Sequence, residues 1–290
     1  MLSIPKKVEI IEVGPRDGLQ NEPRPIPTGQ KKELISGLAK AGFSRLEATA
    51  FVHPKWVPQM SDAEEIAAYC NQLGIPYIAL TPNLKSLERA IAANVKQIAV
   101  FVGASTAFNM KNINKTTKQS LDECEIIFEK AKDRNMFIRA YVSTAFSCPY
   151  QGDVSFDELN EVCKRFVRLG ADEIDLGDTN GFANPQIVYD RFSRLKELYP
   201  DAVFVGHFHD TKKMALANVL AALLAGIDKF DSSIGGLGGC PFSPGAKGNA
   251  ATEELIWMFN EMGVETGIAY ERLEGVSAFA KSLSTRLANY

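Results

Sequence analysis

Residues 45–80 read RLEATAFVHPKWVPQMSDAEEIAAYCNQLGIPYIAL. Arg45–Phe51 and Pro76–Leu80 have the composition of short strands, and Asp62–Leu73 between them has helical periodicity, with Ser61 as a start signal. Strand, helix, strand in this order is the unit of a parallel sheet. The alternation continues outward in both directions, through Val8–Val13 upstream and Gln97–Val102, Phe137–Ser143, Glu173–Leu176, Val203–His207 and Phe230–Ile234 downstream, each followed by a helical segment. Eight such units predict an α/β chain closed into a single (β/α)8 barrel, a TIM barrel, with an additional C-terminal helix near Leu273–Leu287. Outer helices are expected to be amphipathic: after Thr28, Leu34, Leu38 and Ala41 fall on one face, and Ser155 with Glu158 forms a capping-box pattern. A doubly wound open sheet is the competing fold, but it needs fewer strands, and Gly14-Pro15-Arg16-Asp17-Gly18 after the first strand does not match its glycine fingerprint.

The bulk properties agree with one large unit. The chain has 290 residues, 46% of them apolar and 23% charged, and no linker or low-complexity tract divides it, so residues 1–290 are read as one barrel domain. A formal charge of −3 offers no basic field, which argues against nucleic acid as a partner. Five scattered cysteines without CxxC spacing suggest neither a disulfide framework nor a zinc site, and fit a reducing compartment. No signal-peptide core, transit extension or apolar stretch of the ~18 residues needed to span a bilayer is visible. A cytoplasmic protein is expected, with no membrane partner.

In a barrel of this kind, chemistry belongs at the C-terminal ends of the strands. His207 and His209 are two of only three histidines, and strand alternation places both imidazoles on one face at the end of the seventh strand. An exposed pair is the bland reading; an inward-facing pair suits metal ligation. Arg16-Asp17 follows the first strand, which in a closed barrel is separated from the seventh only by the eighth, so Asp17 can reach the same metal. An oxygen and imidazole donor set suits Mg²⁺ or Mn²⁺ better than a thiolate-preferring metal. Gly235–Gly239 continues through Cys240, Gly245 and Gly248 to Asn249, and reads either as a flexible connection or as a mobile lid carrying a thiol that transfers protons.

GPRDGLQNE at 14–22, LEATAFVHPKWVPQM at 46–60, LTPN at 80–83, CPYQG at 148–152, LGDT at 176–179, HFHDT at 207–211 and GGLGGCPFSPGAKGNAATEEL at 235–255 together closely resemble the 3-hydroxy-3-methylglutaryl-CoA lyases, in order from about residue 8 to 264. The resemblance implies a metal-dependent lyase that cleaves a CoA thioester to acetyl-CoA and acetoacetate, as in leucine degradation and ketone-body formation, and a homodimer. It implies that Asp17, His207, His209 and Asn249 bind a divalent cation, Mg²⁺ or Mn²⁺, with Glu47 beside it through water or hydrogen bonds. Arg16 stabilises an enolate oxygen, Cys240 transfers protons, and Asp178 and Glu12 line the polar base of the site. Arg16, Gln20 and Arg24 meet the substrate, with Arg24 standing where a phosphate-binding lysine is often found, and Glu253 orients Asn249.

The match departs from the family pattern at Lys212-Lys213, where Tyr-Gly is usual, and at Asn180, Phe182 and Thr144–Phe146. These departures make a bulkier 3-substituted 3-hydroxyglutaryl-CoA, or a related 3-hydroxy acid, the alternative substrate. A Claisen-type synthase is less expected because no accessory domain follows the barrel. A catalytically silent barrel that only binds CoA esters sits poorly with the joint presence of Arg16, Asp17, Glu47, His207, His209, Cys240 and Asn249.

Overall fold

A computed structural model describes residues 4–239 and 248–285. Eight parallel strands, β1 (Glu9–Glu12), β2 (Leu46–Ala50), β3 (Tyr77–Leu80), β4 (Gln97–Gly103), β5 (Phe137–Ser143), β6 (Glu173–Asp178), β7 (Phe204–Phe208) and β8 (Lys229–Ser232), follow one another around a closed barrel in which β8 pairs with β1. The helices are α1 (Thr28–Ala41), α2 (Ala63–Leu73), α3 (Leu84–Ala92), α4 (Thr106–Ile113), α5 (Thr117–Lys132), α6 (Phe156–Leu169), α7 (Pro185–Leu198), α8 (Ala215–Leu224), α9 (Thr252–Glu261) and α10 (Leu273–Leu283). The expected eight βα units and the extra helix are present, and the open sheet is excluded by the β1–β8 pairing.

The apolar stripe of α1 is buried through Leu34, Ile35, Leu38 and Ala41. Ser155 and Glu158 form the capping box at the start of α6, each satisfying a backbone N–H of the other's residue. Two start signals behave differently. Thr28 lies inside α1, where its hydroxyl donates to Asp62 Oδ2 at 2.8 Å, and Asp62 rather than Ser61 sits ahead of α2 without capping it. Asp62 also accepts from buried Lys31, so two partners on the neighbouring helix α1 outcompete the local caps. Helix α10 stops earlier than the periodicity suggests. Ser284 Oγ and Thr285 N both donate to the Glu22 carboxylate, at 2.7 and 2.9 Å, which turns the chain away from the helical path.

Two layers of core result. The larger lies between the strands and the helix ring; the smaller fills the barrel interior with Ile11, Val13, Ala50, Met60, Ile78, Leu80, Ala99, Tyr141 and Val205. That interior is apolar chiefly on the β1–β4 side. On the β5–β8 side it carries Arg139, Asp175, His207 and Asp231, all buried. Buried charges of this kind must be paired to be tolerable, and these are: one guanidinium nitrogen of Arg139 lies 2.7 Å from both Asp175 Oδ2 and Asp231 Oδ1. No helix among the described residues is long and apolar enough to cross a membrane.

Candidate active site

After β1 the chain coils into a tight turn over Gly14–Gly18, in which the amides of Arg16, Asp17 and Gly18 all point at the Val13 carbonyl, at 3.1, 2.8 and 3.2 Å. This winding presents Arg16 and Asp17 at the end of the barrel where the strands terminate. Strand β7 ends beside them. His207 and His209 face the same way, their ring centroids 5.3 Å apart, as a two-residue period requires. A ligand atom from each of Asp17, His207 and His209 lies within 4.8 Å of the others.

Asn249 joins this group from the far side of the glycine segment. It bridges to His209 through the backbone, and its side-chain amide donates to Asp17 Oδ2 at 2.8 Å and to the Leu237 carbonyl at 3.1 Å. The backbone there is packed too tightly for side chains. A Cβ on Gly238, whose φ is +125°, would lie 2.5 Å from Asn249 Nδ2, and one on Gly248 would lie 1.9 Å from the Gly236 carbonyl oxygen. Glycine at these two positions lets the Asn249 amide reach Asp17.

Arg16 is clamped between two carboxylates, donating to Asp17 Oδ1 at 2.6 Å and to Glu47 Oε2 from its other terminal nitrogen. Tyr141 donates its hydroxyl to the same Glu47 oxygen at 3.0 Å and places its ring 5.6 Å from the guanidinium carbon. The electrostatics follow from this packing. Burial pushes the Asp17 carboxyl up, but the Arg16 cation and the two imidazoles outweigh it and hold Asp17 at about 2, below the usual carboxylate range. For Glu47 burial wins over Arg16, and its pKa is raised.

Other expected site residues are placed as follows. Gln20 reaches Asp17 Oδ1 at 3.4 Å, whereas Arg24 is exposed and its carbonyl is held by Gln59. Glu12 accepts from the amides of Gly14 and Ile234 and from Thr252 Oγ1, at 2.7, 2.9 and 2.6 Å, tying the Arg-Asp turn to the β8 loop and α9. Burial, opposed by these three donors, pushes its carboxyl up to about 8. Asp178 at the end of β6 accepts from the amides of Phe182 and Ala183 at 3.1 and 3.2 Å and is pushed up by burial to about 7. The expected Glu253–Asn249 contact is not formed. Glu253 instead accepts from Gly235 N, Ser277 Oγ and Lys281 Nζ, at 2.9, 2.6 and 3.0 Å, and so fastens the β8 loop to α10. Cys240 lies outside the described residues. Cys70, Cys124 and Cys163 are buried in α2, α5 and α6, where desolvation raises all three thiol pKa values and leaves them as inert packing.

Lys213 departs from what a side chain favours. Its φ is +59°, in the left-handed region, and an exposed ion pair of 2.7 Å to Asp210 accompanies it. Lys213→Gly is therefore expected to raise stability by roughly 1 kcal/mol, since left-handed backbone costs about that much for an L-residue and an exposed pair contributes less. A chemical-denaturation midpoint lower than that of the parent protein would contradict this.

Tyr141, Arg139, Asp175 and Asp231 were not singled out from the sequence. A signal existed, because Arg139, Asp175 and Asp231 are charges inside short strands of a parallel sheet covered on both faces, where an unpaired charge is not tolerated.

The residues present fit a hard divalent cation. Two imidazoles, one carboxylate held ionised and the buried Asn249 Oδ1, which has no hydrogen-bond partner among the described residues, converge from the end of β7 and from the segments after β1 and β8. Fold and site together define a (β/α)8 barrel with a cluster of potential metal ligands at the ends of its strands. The HMGL-like family model matches residues 7–279, and the chain belongs to that family. It is 46% identical over 274 residues to human mitochondrial hydroxymethylglutaryl-CoA lyase, covering 94% of this chain and 84% of that protein. The crystal structure of Bacillus subtilis HMG-CoA lyase superposes with a TM-score of 0.93 at 42% identity, covering 99% of this chain and 98% of that one. An Acinetobacter baumannii HMG-CoA lyase, solved with coenzyme A and 3-methylmalate, superposes with a TM-score of 0.90 at 38% identity, covering 98% and 93%.

Proposed function

We propose that this protein is a carbon–carbon lyase that converts 3-hydroxy-3-methylglutaryl-CoA to acetyl-CoA and acetoacetate by a retro-Claisen reaction, using Mg²⁺ or Mn²⁺ held by Asp17, His207, His209 and Asn249. The observation that carries this reading is the convergence of Asp17, His207 and His209 beside the clamped Arg16 in a chain of this family. A bound divalent cation lowers the pKa of a coordinated hydroxyl and stabilises nearby negative charge. The protein's own groups supply the rest. Arg16 is fixed by Asp17 and Glu47, and its buried Nε has no partner among the described residues, so it retains a donor for the thioester oxygen on which charge develops as the bond between C2 and C3 breaks. Glu47 and Tyr141 keep that guanidinium from rotating. The C3 hydroxyl loses its proton and becomes the ketone of acetoacetate, while the released acetyl carbon gains a proton, assigned to Cys240 from its place in the glycine segment.

Mass spectrometry of 3-hydroxy-3-methylglutaryl-CoA incubated with the protein and either metal tests this reading, with formation of both products expected. No cleavage of this ester or of 3-substituted homologues would overturn it. The homologues belong in the assay because Lys212 Nζ stands 4.7 Å from the Phe182 ring, joining the loops after β6 and β7 with residues unusual for the family. Faster turnover of a bulkier ester than of the methyl compound would favour the alternative substrate. Cys240→Ser is expected to lower turnover by about 10²-fold or more with metal affinity unchanged, because a hydroxyl of much higher pKa is a poor proton carrier. Parental turnover in that variant would remove the thiol from the reaction.

A further inference from the structure

His207 stands between two groups of possible ligands. On one side are Asp17 and His209; on the other are Asp175 and Asp231, whose carboxylate oxygens lie within 4.8 Å of each other and of a His207 ring nitrogen. An imidazole cannot serve both with a lone pair. The inner group already holds a cation, since the fully buried Arg139 places one nitrogen 2.7 Å from Asp175 Oδ2 and 2.7 Å from Asp231 Oδ1. The Asp231 carboxylate is thereby divided: Oδ1 belongs to Arg139, and Oδ2 lies 3.0 Å from His207 Nδ1. Strand pairing enforces the contact, because Asp231 and His207 are direct partners in the β8–β7 register. Tyr141 packs edge-on against the imidazole, with centroids 6.3 Å apart and planes at 80°, and restricts its tilt.

We infer that Asp231, held by Arg139, is a positioning residue that makes His207 Nδ1 the hydrogen donor and so reserves Nε2 for the metal shared with Asp17 and His209. This rests on the metal reading proposed above and names the residue that orients its ligand. In Asp231→Asn the amide oxygen must stay on Arg139, because an NH₂ facing a guanidinium is repelled. The amide NH₂ then faces His207 Nδ1, which is forced to accept, and the proton moves to Nε2. Ligands oriented by such outer partners lose about 10–100-fold in metal affinity when the partner is changed.

The test measures Mg²⁺ and Mn²⁺ affinity by calorimetry in the parent protein, Asp231→Asn and Asp175→Asn, with thermal unfolding recorded for each. Asp231→Asn is expected to bind about 10–100-fold more weakly, and Asp175→Asn to stay close to the parent, because His207 keeps its Asp231 partner. Long-range ¹H–¹⁵N correlation of the His207 ring in the Mg²⁺-loaded parent protein is the second readout, with a proton expected on Nδ1. A folded Asp231→Asn of parental affinity, or a ring protonated on Nε2 in the loaded parent, would overturn the inference. If Asp231→Asn does not fold, the ring spectrum of the parent decides. A parent protein that binds neither metal refutes the metal reading itself and takes this inference with it, an outcome distinct from parental affinity in the variant.

Discussion

Asp17→Ala is expected to abolish Mg²⁺ and Mn²⁺ binding and to lower turnover by about three orders of magnitude or more, which corresponds to ~4 kcal/mol of lost transition-state stabilisation. Asp17 is the only anionic member of the group it forms with His207 and His209. Because Arg16 and the imidazoles hold its pKa at about 2, it is charged throughout the neutral range and presents an ionised ligand at all working pH values. The stability loss is expected to be the smaller effect, since Arg16 keeps its second carboxylate, Glu47. Calorimetry with either cation reads the first effect and product formation the second. Unchanged affinity in a folded Asp17→Ala protein would place the metal elsewhere.

Arg16→Gln should leave the metal in place and act on the chemical step, lowering kcat by about 10²–10³-fold, the range seen when one preorganised donor is removed from a developing oxyanion. Two consequences compete. The variant loses the donor, and it also leaves Glu47 fully buried beside Tyr141 without its cation. Burial already raises the Glu47 pKa against the pull of Arg16, so without Arg16 the carboxyl takes up a proton and the fold survives. Arg16→Lys restores the charge but not the fork that reaches Asp17 and Glu47 together, and is expected to recover only part of the rate. A kcat equal to the parent's in folded Arg16→Gln, measured at saturating substrate, would remove Arg16 from the chemistry.

Much of this site was legible before any coordinates. His207 and His209 share a face because strand side chains alternate, and Arg16-Asp17 sits beside them because the first strand of a closed barrel is two places from the seventh. Tyr141 and Asp231 were not legible in the same way. A tyrosine in a strand looks like ordinary core, and an aspartate after a phenylalanine looks like a strand end. Only the register that sets Asp231 opposite His207 turns it into a partner of the site.

By itself the sequence determined the eight βα units, the amphipathic stripe of α1, the capping box of α6 and the shared face of His207 and His209, because each depends on periodicities and short-range rules that act within one element. The tertiary structure alone decided where competing partners settled. Thr28 left its helix cap for Asp62, Glu253 took Gly235, Ser277 and Lys281 instead of Asn249, and Glu22 ended α10 across the fold. Arg139 likewise fixed Asp231 from a position 92 residues away. Each outcome is a choice among several chemically acceptable donors and acceptors, and the choice is made by which of them the closed barrel brings within 3 Å, a distance that no local pattern in the chain encodes.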